Sequence, residues 1–453
     1  MSGTITINAN DLLSAVKPQL LQMPEITQQT YSYVIWTDGT NYYAKNGSTG
    51  KIDYSGTNAS TVIQNAINSL SAGGKIYIRK GIYTITNTIT LSDGITLEGE
   101  IRASGKYYDT KGTILRGSAD PILKVTVNKD QLYQNLIEIR NIRIEPTTSN
   151  TAILVSPQNM LDGLNIINVG IVPKTLQTGY GIVLDATQYP IINTLIHRVE
   201  LWYLDKAIWG KGIHISDSTV TYYLTTLTIS KSTFERCKTA IRLEGAWTTV
   251  INNNIVENSE YNGVEIYTSG NVWITNNHFE NNPFRTGVTG YDLVIQGEPT
   301  LNRYANAIHI RENMFGSRNA VANIYLNYAS RIIIIGNGFV YTPQNNIYAE
   351  NNTYYLWIER NIFSTQNTIQ GTLYKNIGKA TFSGDGATTQ FKIAHGLGSL
   401  PTLVVVTPAS SDAKGNFYVT VDNTYIYVNY STAPPAGTNN IQLYWYAQKA
   451  LNF

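Results

Sequence analysis

The chain has 453 residues, of which 42% are hydrophobic and only 14% are charged, and its formal net charge is +2. The charged fraction lies well below the roughly 25% of an average soluble protein. The near-neutral balance argues against a nucleic-acid or acidic-membrane partner held by charge. The single cysteine, Cys237, excludes an intrachain disulfide framework and cysteine-type zinc sites.

The beginning of the chain, MSGTITINANDLLSAVKPQLLQMPEI, has no basic segment followed by an apolar run, so we expect no secretory signal. No later segment approaches about 18 uninterrupted apolar residues, so we expect no membrane insertion. The low charge and the 32 tyrosines are common in extracellular β-rich proteins that meet sugars. A place on the virion surface, or an extracellular one, reconciles this composition with the missing signal.

Residues 1–57 are expected to form an N-terminal attachment segment. It begins with a short helix, NDLLSAVKPQLLQ, which Pro18 interrupts, and it continues with two hairpin-like turns, TDGT and KNGS. After it comes an amphipathic helix with Val62, Ile63, Ala66, Ile67 and Leu70 on one face. Gly73 and Gly74 then precede a strand, IYIRKGIYTI.

A repeated pattern, I-x-x-N-x-F with apolar residues allowed at both ends, occupies the middle of the chain. It occurs at Ile139, Ile166, Ile196, Ile229, Ile251, Ile274, Ile310, Ile334 and Ile358, with shortest intervals of 22 to 24 residues. The segments are rich in Ile, Val, Thr and Tyr and alternate with period two, which indicates strands. An interval of this length predicts stacked coils of a parallel β-helix.

Equivalent residues of successive coils stack about 4.8 Å apart in such a solenoid. The isoleucines and Phe234, Phe279, Phe315, Phe339 and Phe363 are therefore expected to point inward. The asparagines at the fourth position, Asn254, Asn277, Asn313, Asn337 and Asn361, are expected to form a hydrogen-bonded ladder.

The helix, the Gly-Gly stop and the segment IYIRKGIYTI together resemble the opening of pectate-lyase-like β-helix proteins. The resemblance covers about residues 50–375. It implies an all-β fold, a right-handed single-stranded parallel β-helix with an N-terminal helical cap, assigned here to residues 58–376. It also implies polysaccharide chemistry, although the signatures of polygalacturonases and of calcium-dependent pectate lyases are missing.

Residues 377–453 contain five short alternating strands between turn segments and predict a C-terminal antiparallel, β-sandwich-like domain. The segment FSGDGATTQFKIAHGLGSLP…APPAGTNNIQLYWYA resembles a C-terminal module of phage and archaeal-virus tail proteins. That resemblance implies a role in trimerisation or receptor contact, and with it a homotrimer.

Three glutamates, Glu235, Glu257 and Glu280, follow the last template position on consecutive coils. Glycosidases hold two carboxyl groups about 5–5.5 Å apart when retaining and about 6.5–9.5 Å when inverting. Neighbouring coils and next-but-one coils offer about 4.8 and 9.6 Å, so either geometry is open. These glutamates are the candidate catalytic residues, and their mutual repulsion is expected to raise at least one pKa.

Candidate substrate-binding residues lie near the glutamates in sequence: Arg242, Trp247, Tyr261, Tyr267, Trp273 and His278. Each set has a plainer interpretation. The glutamates also fit the pattern of solvated turn residues, with charges neutralised by Arg236 or Arg285. The outward aromatic residues also fit contacts between subunits. Asp185 and Glu244, which share one position after another strand, form a weaker carboxylate pair.

The preferred hypothesis is a tailspike-like protein that binds a polysaccharide and cleaves it by hydrolysis. No cofactor and no metal ion are expected. The alternatives are a non-catalytic glycan-binding adhesin or viral fibre, and a free polysaccharide lyase or hydrolase with a carbohydrate-binding module.

Overall fold

The computed structural model describes residues 31–103, 110–128, 135–174, 178–212, 224–341, 343, 345–350, 352–363, 369–370 and 375–449. The helix expected within residues 1–30 lies outside this range. The described part of the chain contains no helix with the length and apolar composition of a membrane span.

Three long sheets form the walls of the molecule. Sheet A consists of β1 (Tyr33–Thr37), β2 (Tyr42–Asn46), β3 (Ile52–Gly56), β4 (Gly74–Ile78), β7 (Ile95–Gly99), β10 (Ile137–Arg140), β13 (Leu161–Ile167), β16 (Ile191–His197), β19 (Leu224–Ser230), β22 (Ala246–Asn252), β25 (Gly270–Thr275), β28 (Ala305–Arg311), β31 (Ala329–Ile335) and β34 (Tyr354–Glu359). Sheet B consists of β5 (Gly81–Ile85), β8 (Thr113–Gly117), β11 (Arg143–Pro146), β14 (Gly170–Ile171), β17 (Glu200–Trp202), β20 (Thr233–Glu235), β23 (Ile255–Glu257), β26 (His278–Glu280), β29 (Met314–Gly316), β32 (Gly338–Phe339) and β35 (Ile362–Phe363). Sheet C consists of β6 (Ile89–Leu91), β9 (Leu123–Val125), β12 (Thr151–Val155), β15 (Tyr180–Ala186), β18 (Lys206–Gly212), β21 (Thr239–Glu244), β24 (Asn262–Tyr267), β27 (Tyr291–Gln296), β30 (Ala322–Asn327), β33 (Asn345–Ala349) and β36 (Ile369–Gln370).

From β4 onward the chain visits the sheets in the order A, B, C, and each strand pairs in parallel with its equivalent on the next coil. The two 11-stranded sheets correspond to eleven coils. The chain is therefore a parallel β-helix, as the repeat predicts.

The predicted files of equivalent residues are confirmed. All nine template isoleucines pair in one continuous register from Ile139 to Ile358. Phe279 and Phe315 stack with ring centroids 4.9 Å apart, and Phe339 continues the stack at 5.1 Å. Because these rings are buried, the file forms a continuous apolar core along the axis.

The asparagine ladder is also confirmed, and it satisfies its buried amides. Asn277 Nδ2 donates to Asn313 Oδ1 at 3.0 Å and to the carbonyl oxygen of Ile251 at 2.9 Å. Asn277 Oδ1 accepts from both the backbone nitrogen and Nδ2 of Asn254. A residue with positive φ, such as Asn253 (φ 55°) or Asn276 (φ 56°), precedes each ladder position and turns the chain from sheet A to sheet B.

The helical cap is α1 (Ala59–Asn68), whose N-cap residue Asn58 accepts a hydrogen bond from the Thr61 nitrogen. Its apolar face, Val62, Ile63, Ala66 and Ile67, is buried against the first coil. The two expected hairpin turns link β1 to β2 and β2 to β3, and β1 also pairs in parallel with β4. A 3-10 helix, Pro299–Leu301, interrupts the loop after β27.

The C-terminal domain contains two three-stranded antiparallel sheets, as predicted. Sheet D consists of β37 (Lys375–Gly384), β42 (Gly437–Gln448) and β39 (Leu403–Pro408), and sheet E consists of β38 (Gln390–Ala394), β41 (Tyr425–Tyr430) and β40 (Phe417–Val421). The ring centroids of Phe382 on sheet D and Phe391 on sheet E lie 5.1 Å apart, so the two sheets share a core. The domain boundaries at residues 57/58 and 376/377 stay predictions.

Candidate functional site

The three candidate glutamates lie in one file on sheet B. Glu235 pairs in register with Glu257, and Glu257 pairs in register with Glu280. The residue before each glutamate is buried: Phe234, Val256 and Phe279 are all 0% exposed. Because side chains alternate along a strand, the glutamates point outward.

Backbone hydrogen bonds fix this register at the glutamates themselves. The residue after each glutamate has a positive φ, 53° at Arg236 and 55° at Asn258, and ends the strand. The Arg236 nitrogen donates to the Glu257 carbonyl at 3.2 Å, and the Asn258 nitrogen donates to the Glu280 carbonyl at 2.9 Å. The carboxylate file is therefore held by the solenoid and not by loops.

The three carboxyl groups differ in their surroundings. Glu235 is 19% exposed and lies 3.5 Å from the Arg236 guanidinium, whereas Glu280 is 46% exposed and contacts His278 Nε2 at 3.0 Å. Burial raises the pKa of Glu257, and the flanking Glu235 and Glu280 carboxylates raise it further. The Glu257 carboxyl therefore holds its proton to a higher pH than an ordinary glutamate does.

The two proposed neutralising arginines behave differently. Arg236 does pair with Glu235, and it also approaches the Tyr203 hydroxyl at 3.3 Å. Arg285 instead pairs with Glu260 at 3.1 Å. Among the described residues, no arginine or lysine pairs with Glu257 or Glu280. The interpretation of the glutamates as solvated residues neutralised by arginine therefore applies only to Glu235.

The candidate substrate-binding residues lie on different faces. His278, two residues before Glu280 on β26, shares the outer face of sheet B with the glutamates. Tyr261 lies at the turn from β23 to β24 and is 44% exposed. Sheet C carries Arg242 and Tyr267, and sheet A carries Trp247 and Trp273.

On sheet C, the Arg242 guanidinium is already engaged. It pairs with Glu265 at 2.9 Å and with Glu244, and it lies 4.3 Å from the centre of the Tyr267 ring. The weaker carboxylate pair, Asp185 and Glu244, shares one file as expected, but Lys211 lies between the two on the intervening coil. A cation between two carboxylates suits a structural role better than acid–base chemistry.

Sequence reasoning did not single out Trp202, which pairs in register with Glu235 and so begins the glutamate file. The sequence does carry a signal for this position, because Trp202 follows the template segment IHRVEL in the same way as Glu235 follows ISKSTF. Trp202 lies edge-on to Tyr203, with ring centroids 6.3 Å apart. An aromatic residue beside carboxylates is typical of a surface that binds sugar rings.

An apolar file runs beside the glutamates on the same outer face. Ile255 pairs with His278, and His278 pairs with Met314. Ile255 is 43% exposed and Met314 is 41% exposed. An open pocket lies next to this file at the turn from sheet A, lined by Asn253, Ile255, Asn276, His278, Glu312 and Met314.

A second residue that the sequence did not indicate is Asp292, on β27 behind this surface. It is 0% exposed; its Oδ1 accepts hydrogen bonds from Asn282 Nδ2 at 3.0 Å and from Ser317 Oγ, and its Oδ2 accepts one from Asn323 Nδ2 at 2.8 Å. Burial raises the pKa of Asp292 to about 6, although these hydrogen bonds oppose the rise. Among the described residues, no group of three or more His, Cys, Asp or Glu side chains is arranged to hold a metal ion.

Two family models match the sequence. The right-handed β-helix region model matches residues 211–393, and the model described as rhamnogalacturonase A/epimerase, pectate lyase-like, matches residues 49–265. None of the curated proteins matches the sequence.

Solved structures with a similar fold include several from bacterial viruses. ORF18 of Geobacillus virus E2 is 12% identical over 85% of this chain and 75% of its own, with a TM-score of 0.49. The tailspike protein of Acinetobacter phage vB_ApiP_P1 is 12% identical over 86% of this chain and 84% of its own, with a TM-score of 0.48. DFA-IIIase from Arthrobacter chlorophenolicus A6 is 13% identical over 69% of this chain and 95% of its own, with a TM-score of 0.45. The stacked sheets and the two family matches together show that this chain has the pectate-lyase-like, right-handed parallel β-helix fold.

Proposed function

We propose that the protein binds a polysaccharide along the outer face of sheet B and hydrolyses a glycosidic bond there. The observation that carries this proposal is the position of Glu257, in register between Glu235 and Glu280 and with a raised pKa. A raised pKa supplies the protonated acid that glycoside hydrolysis needs, and a neighbouring carboxylate supplies its partner.

In this proposal Glu257 is the general acid and Glu280 is the nucleophile. The spacing of about 4.8 Å between adjacent coils is close to the roughly 5–5.5 Å of retaining glycosidases. Glu257 donates its proton to the leaving glycosidic oxygen while Glu280 attacks the anomeric carbon. Glu257 then accepts a proton from the water that releases the sugar from Glu280. Glu235, engaged by Arg236, acts on Glu257 through its charge.

The surroundings of the glutamates support a sugar as the ligand. Trp202 offers a ring at one end of the file, and the exposed Ile255 and Met314 offer an apolar surface beside it. Apolar patches next to fixed polar groups suit a sugar, which has both C–H faces and hydroxyl edges. The family description matched by residues 49–265 names carbohydrate-processing enzymes, which also supports this class of substrate.

We further propose that the protein works as a homotrimer on a virion surface or outside the cell. The resemblance of the C-terminal segment to modules of viral tail proteins supports this assignment. The chemistry proposed for sheet B does not depend on it.

The test is a panel of purified polysaccharides, scored both for binding and for new reducing ends. The wild type is expected to release reducing ends from at least one glycan that it binds. Glu257→Gln and Glu280→Gln are expected to lose the release by at least about a hundredfold while they keep binding. Glu244→Gln, on sheet C, is the matched control and is expected to remain active.

Three results would redirect the assignment. Binding with unchanged oligosaccharides after long incubation selects the adhesin. Release of unsaturated products selects a lyase. Full activity of both Glu257→Gln and Glu280→Gln means that the cleavage occurs at another place on the molecule.

A further inference from the structure

The open pocket beside the glutamate file takes no part in the proposed reaction. It has a volume of about 330 Å³ and spans the three coils that carry β23, β26 and β29. That volume is at the lower end of the roughly 300–1,000 Å³ of ligand pockets, so the pocket suits one sugar residue or part of one. The chemistry of its walls therefore bears on which sugar the protein binds.

One wall of the pocket is a row of turn residues between sheets A and B. Asn253, Asn276 and Glu312 hold equivalent places on consecutive coils, since each backbone nitrogen donates to a carbonyl at the end of the next sheet A strand. All three residues have a positive φ of 55–56°. Within the described part of the chain, their side chains have no hydrogen-bond or ion-pair partner. Two amides and one carboxylate are therefore available to a ligand.

The other wall is the row Ile255, His278 and Met314 on the outer face of sheet B. A Cβ at Gly338, on the following coil, would lie 3.0 Å from Met314 Sδ, so the Met314 side chain lies across Gly338. The contact of His278 Nε2 with Glu280 holds the imidazole ring between the two apolar side chains. This wall exposes apolar surface beside polar groups, as ligand pockets do.

The pocket is close enough to the glutamates for one sugar to contact both. Ile255 and His278 precede Glu257 and Glu280 by two residues on the same strands. The two rows of side chains are therefore about 6.6 Å apart along the strand direction. A substituent on a sugar ring that lies at the glutamates reaches across this distance into the pocket.

We propose that the pocket holds the acetamido group of an N-acetylated sugar, so that the polysaccharide bound on sheet B contains N-acetylhexosamine residues. An acetamido group combines a methyl group, an N–H donor and a carbonyl acceptor. The methyl group packs against Ile255 and Met314, the N–H donates to the Glu312 carboxylate, and the carbonyl accepts from the amide of Asn253 or Asn276. The inference rests on the proposed function for the place of the glycan on sheet B.

Other common sugar substituents match only part of the pocket. Strands β23, β26 and β29 carry no lysine or arginine, so the carboxylate of a uronic acid would meet Glu257, Glu280 and Glu312 without a cation on these strands. A free ammonium group would pair with Glu312 but would leave Ile255 and Met314 uncovered. The methyl group of a deoxy sugar would cover the apolar wall and leave the polar wall unused.

Saturation-transfer NMR of the full chain with monosaccharides tests the pocket directly. The probes are N-acetylglucosamine, N-acetylgalactosamine and N-acetylmannosamine, each compared with its parent hexose and its free amino sugar. At least one N-acetylated sugar is expected to bind in the millimolar range, about tenfold more tightly than its parent hexose. Its acetyl methyl protons are expected to receive the strongest saturation. Equal binding of the three forms, or no binding of any N-acetylated sugar, overturns the inference.

Two variants connect this binding to the pocket, and each copies a residue that holds the same place on another coil. Ile255→Thr reproduces Thr233 of the preceding coil, and Glu312→Asn reproduces Asn276, so both suit the fold. Each is expected to weaken binding of the N-acetylated sugar about fivefold. Ile362→Thr, in the same file but outside the pocket, is the matched control and is expected to bind as the wild type does. Unchanged binding in both pocket variants contradicts the inference.

The polysaccharide panel separates this inference from the hydrolase proposal. Every polysaccharide that the protein cleaves is expected to contain N-acetylated sugars. Cleavage confined to glycans without acetamido groups overturns the inference and leaves the hydrolase proposal intact. Binding of N-acetylated sugars in the pocket, without cleavage of any glycan, supports the inference and contradicts the hydrolase proposal.

Discussion

Glu257 lies in register with Glu280 of the next coil, and the hydrogen bond from the Asn258 nitrogen to the Glu280 carbonyl, 2.9 Å long, holds the two coils together at that point. The relationship places the two glutamates on adjacent strands of a rigid wall, with their backbones about 4.8 Å apart. Glu235 adds a third carboxylate on the other side of Glu257. The protonation of Glu257 therefore depends on its two neighbours.

Removing the charge of Glu235 is expected to move the pH dependence of activity. The Glu235 carboxylate helps to raise the pKa of Glu257, so Glu235→Gln lowers that pKa. A general acid works while it is protonated and fails as the pH rises through its pKa. The basic limb of the kcat/KM profile should therefore move to lower pH, by up to about one pH unit. If the basic limb of the profile does not move in Glu235→Gln, or moves by a similar amount in Glu244→Gln, the Glu235 carboxylate does not control the protonation of Glu257.

Truncating Trp202 is expected to weaken glycan binding without changing the chemistry. Trp202→Ala removes the ring that begins the glutamate file, and KM should rise about tenfold, which corresponds to about 1.4 kcal/mol. The value of kcat and the pH profile should stay nearly unchanged, because Trp202 touches neither reacting carboxyl. Trp247→Ala, on sheet A, is the control and should leave KM unaltered. The opposite pattern would place the sugar on sheet A.

The phenylalanine stack gives a stability prediction. Phe315 is fully buried between Phe279 and Phe339, so Phe315→Ala should lower the free energy of unfolding by about 3–5 kcal/mol. Phe363 contacts Phe339 at the C-terminal end of the file and is only partly buried, so Phe363→Ala should cost less. Chemical denaturation measures both variants. A loss below about 1 kcal/mol for Phe315→Ala would contradict its place in the core.

Asp292 gives a prediction for stability against pH. Its pKa in the folded protein, about 6, lies above the ordinary value of 3.8, so folding favours its protonated form. Its contribution is fully present below about pH 3.8 and is lost as the pH rises through about 6, a change on the order of 3 kcal/mol.

Asp292→Asn is expected to remove this pH-dependent loss and to add a pH-independent one, because the amide nitrogen replaces one carboxylate oxygen and cannot accept the bond that Asn282 or Asn323 donates there. Unfolding free energies of both proteins between about pH 4 and pH 7 supply the comparison. If the difference between wild type and variant is constant with pH, Asp292 does not titrate in this range.

Much of the fold is visible in the sequence, because one coil repeats the pattern of the last. The template places Ile274 on sheet A, Asn277 at the turn and Phe279 on sheet B, and each of these residues stacks as the interval predicts. Identical environments on successive coils select the same residue type, so the core and the ladder leave a periodic signal.

The repeat in the sequence could not show which of the substrate-binding candidates lie on the same sheet. Trp273 and His278 are five residues apart, yet the positive φ of Asn276 turns the chain between them, so they lie on different sheets. A pattern of apolar residues shows which side chains point outward, but it does not give the angle between two walls. The sequence does not indicate Asp292 either, because the loop that joins sheet B to sheet C varies in length from coil to coil.

A crystal structure of Glu257→Gln with an oligosaccharide from the glycan that the protein binds tests most directly whether sugar is cleaved at the glutamate file. We expect a sugar chain on the outer face of sheet B, stacked on Trp202, with one glycosidic oxygen at residue 257 and the adjacent anomeric carbon facing Glu280. A sugar bound on sheet A, on sheet C or on the C-terminal domain, with the glutamate file empty, would contradict it.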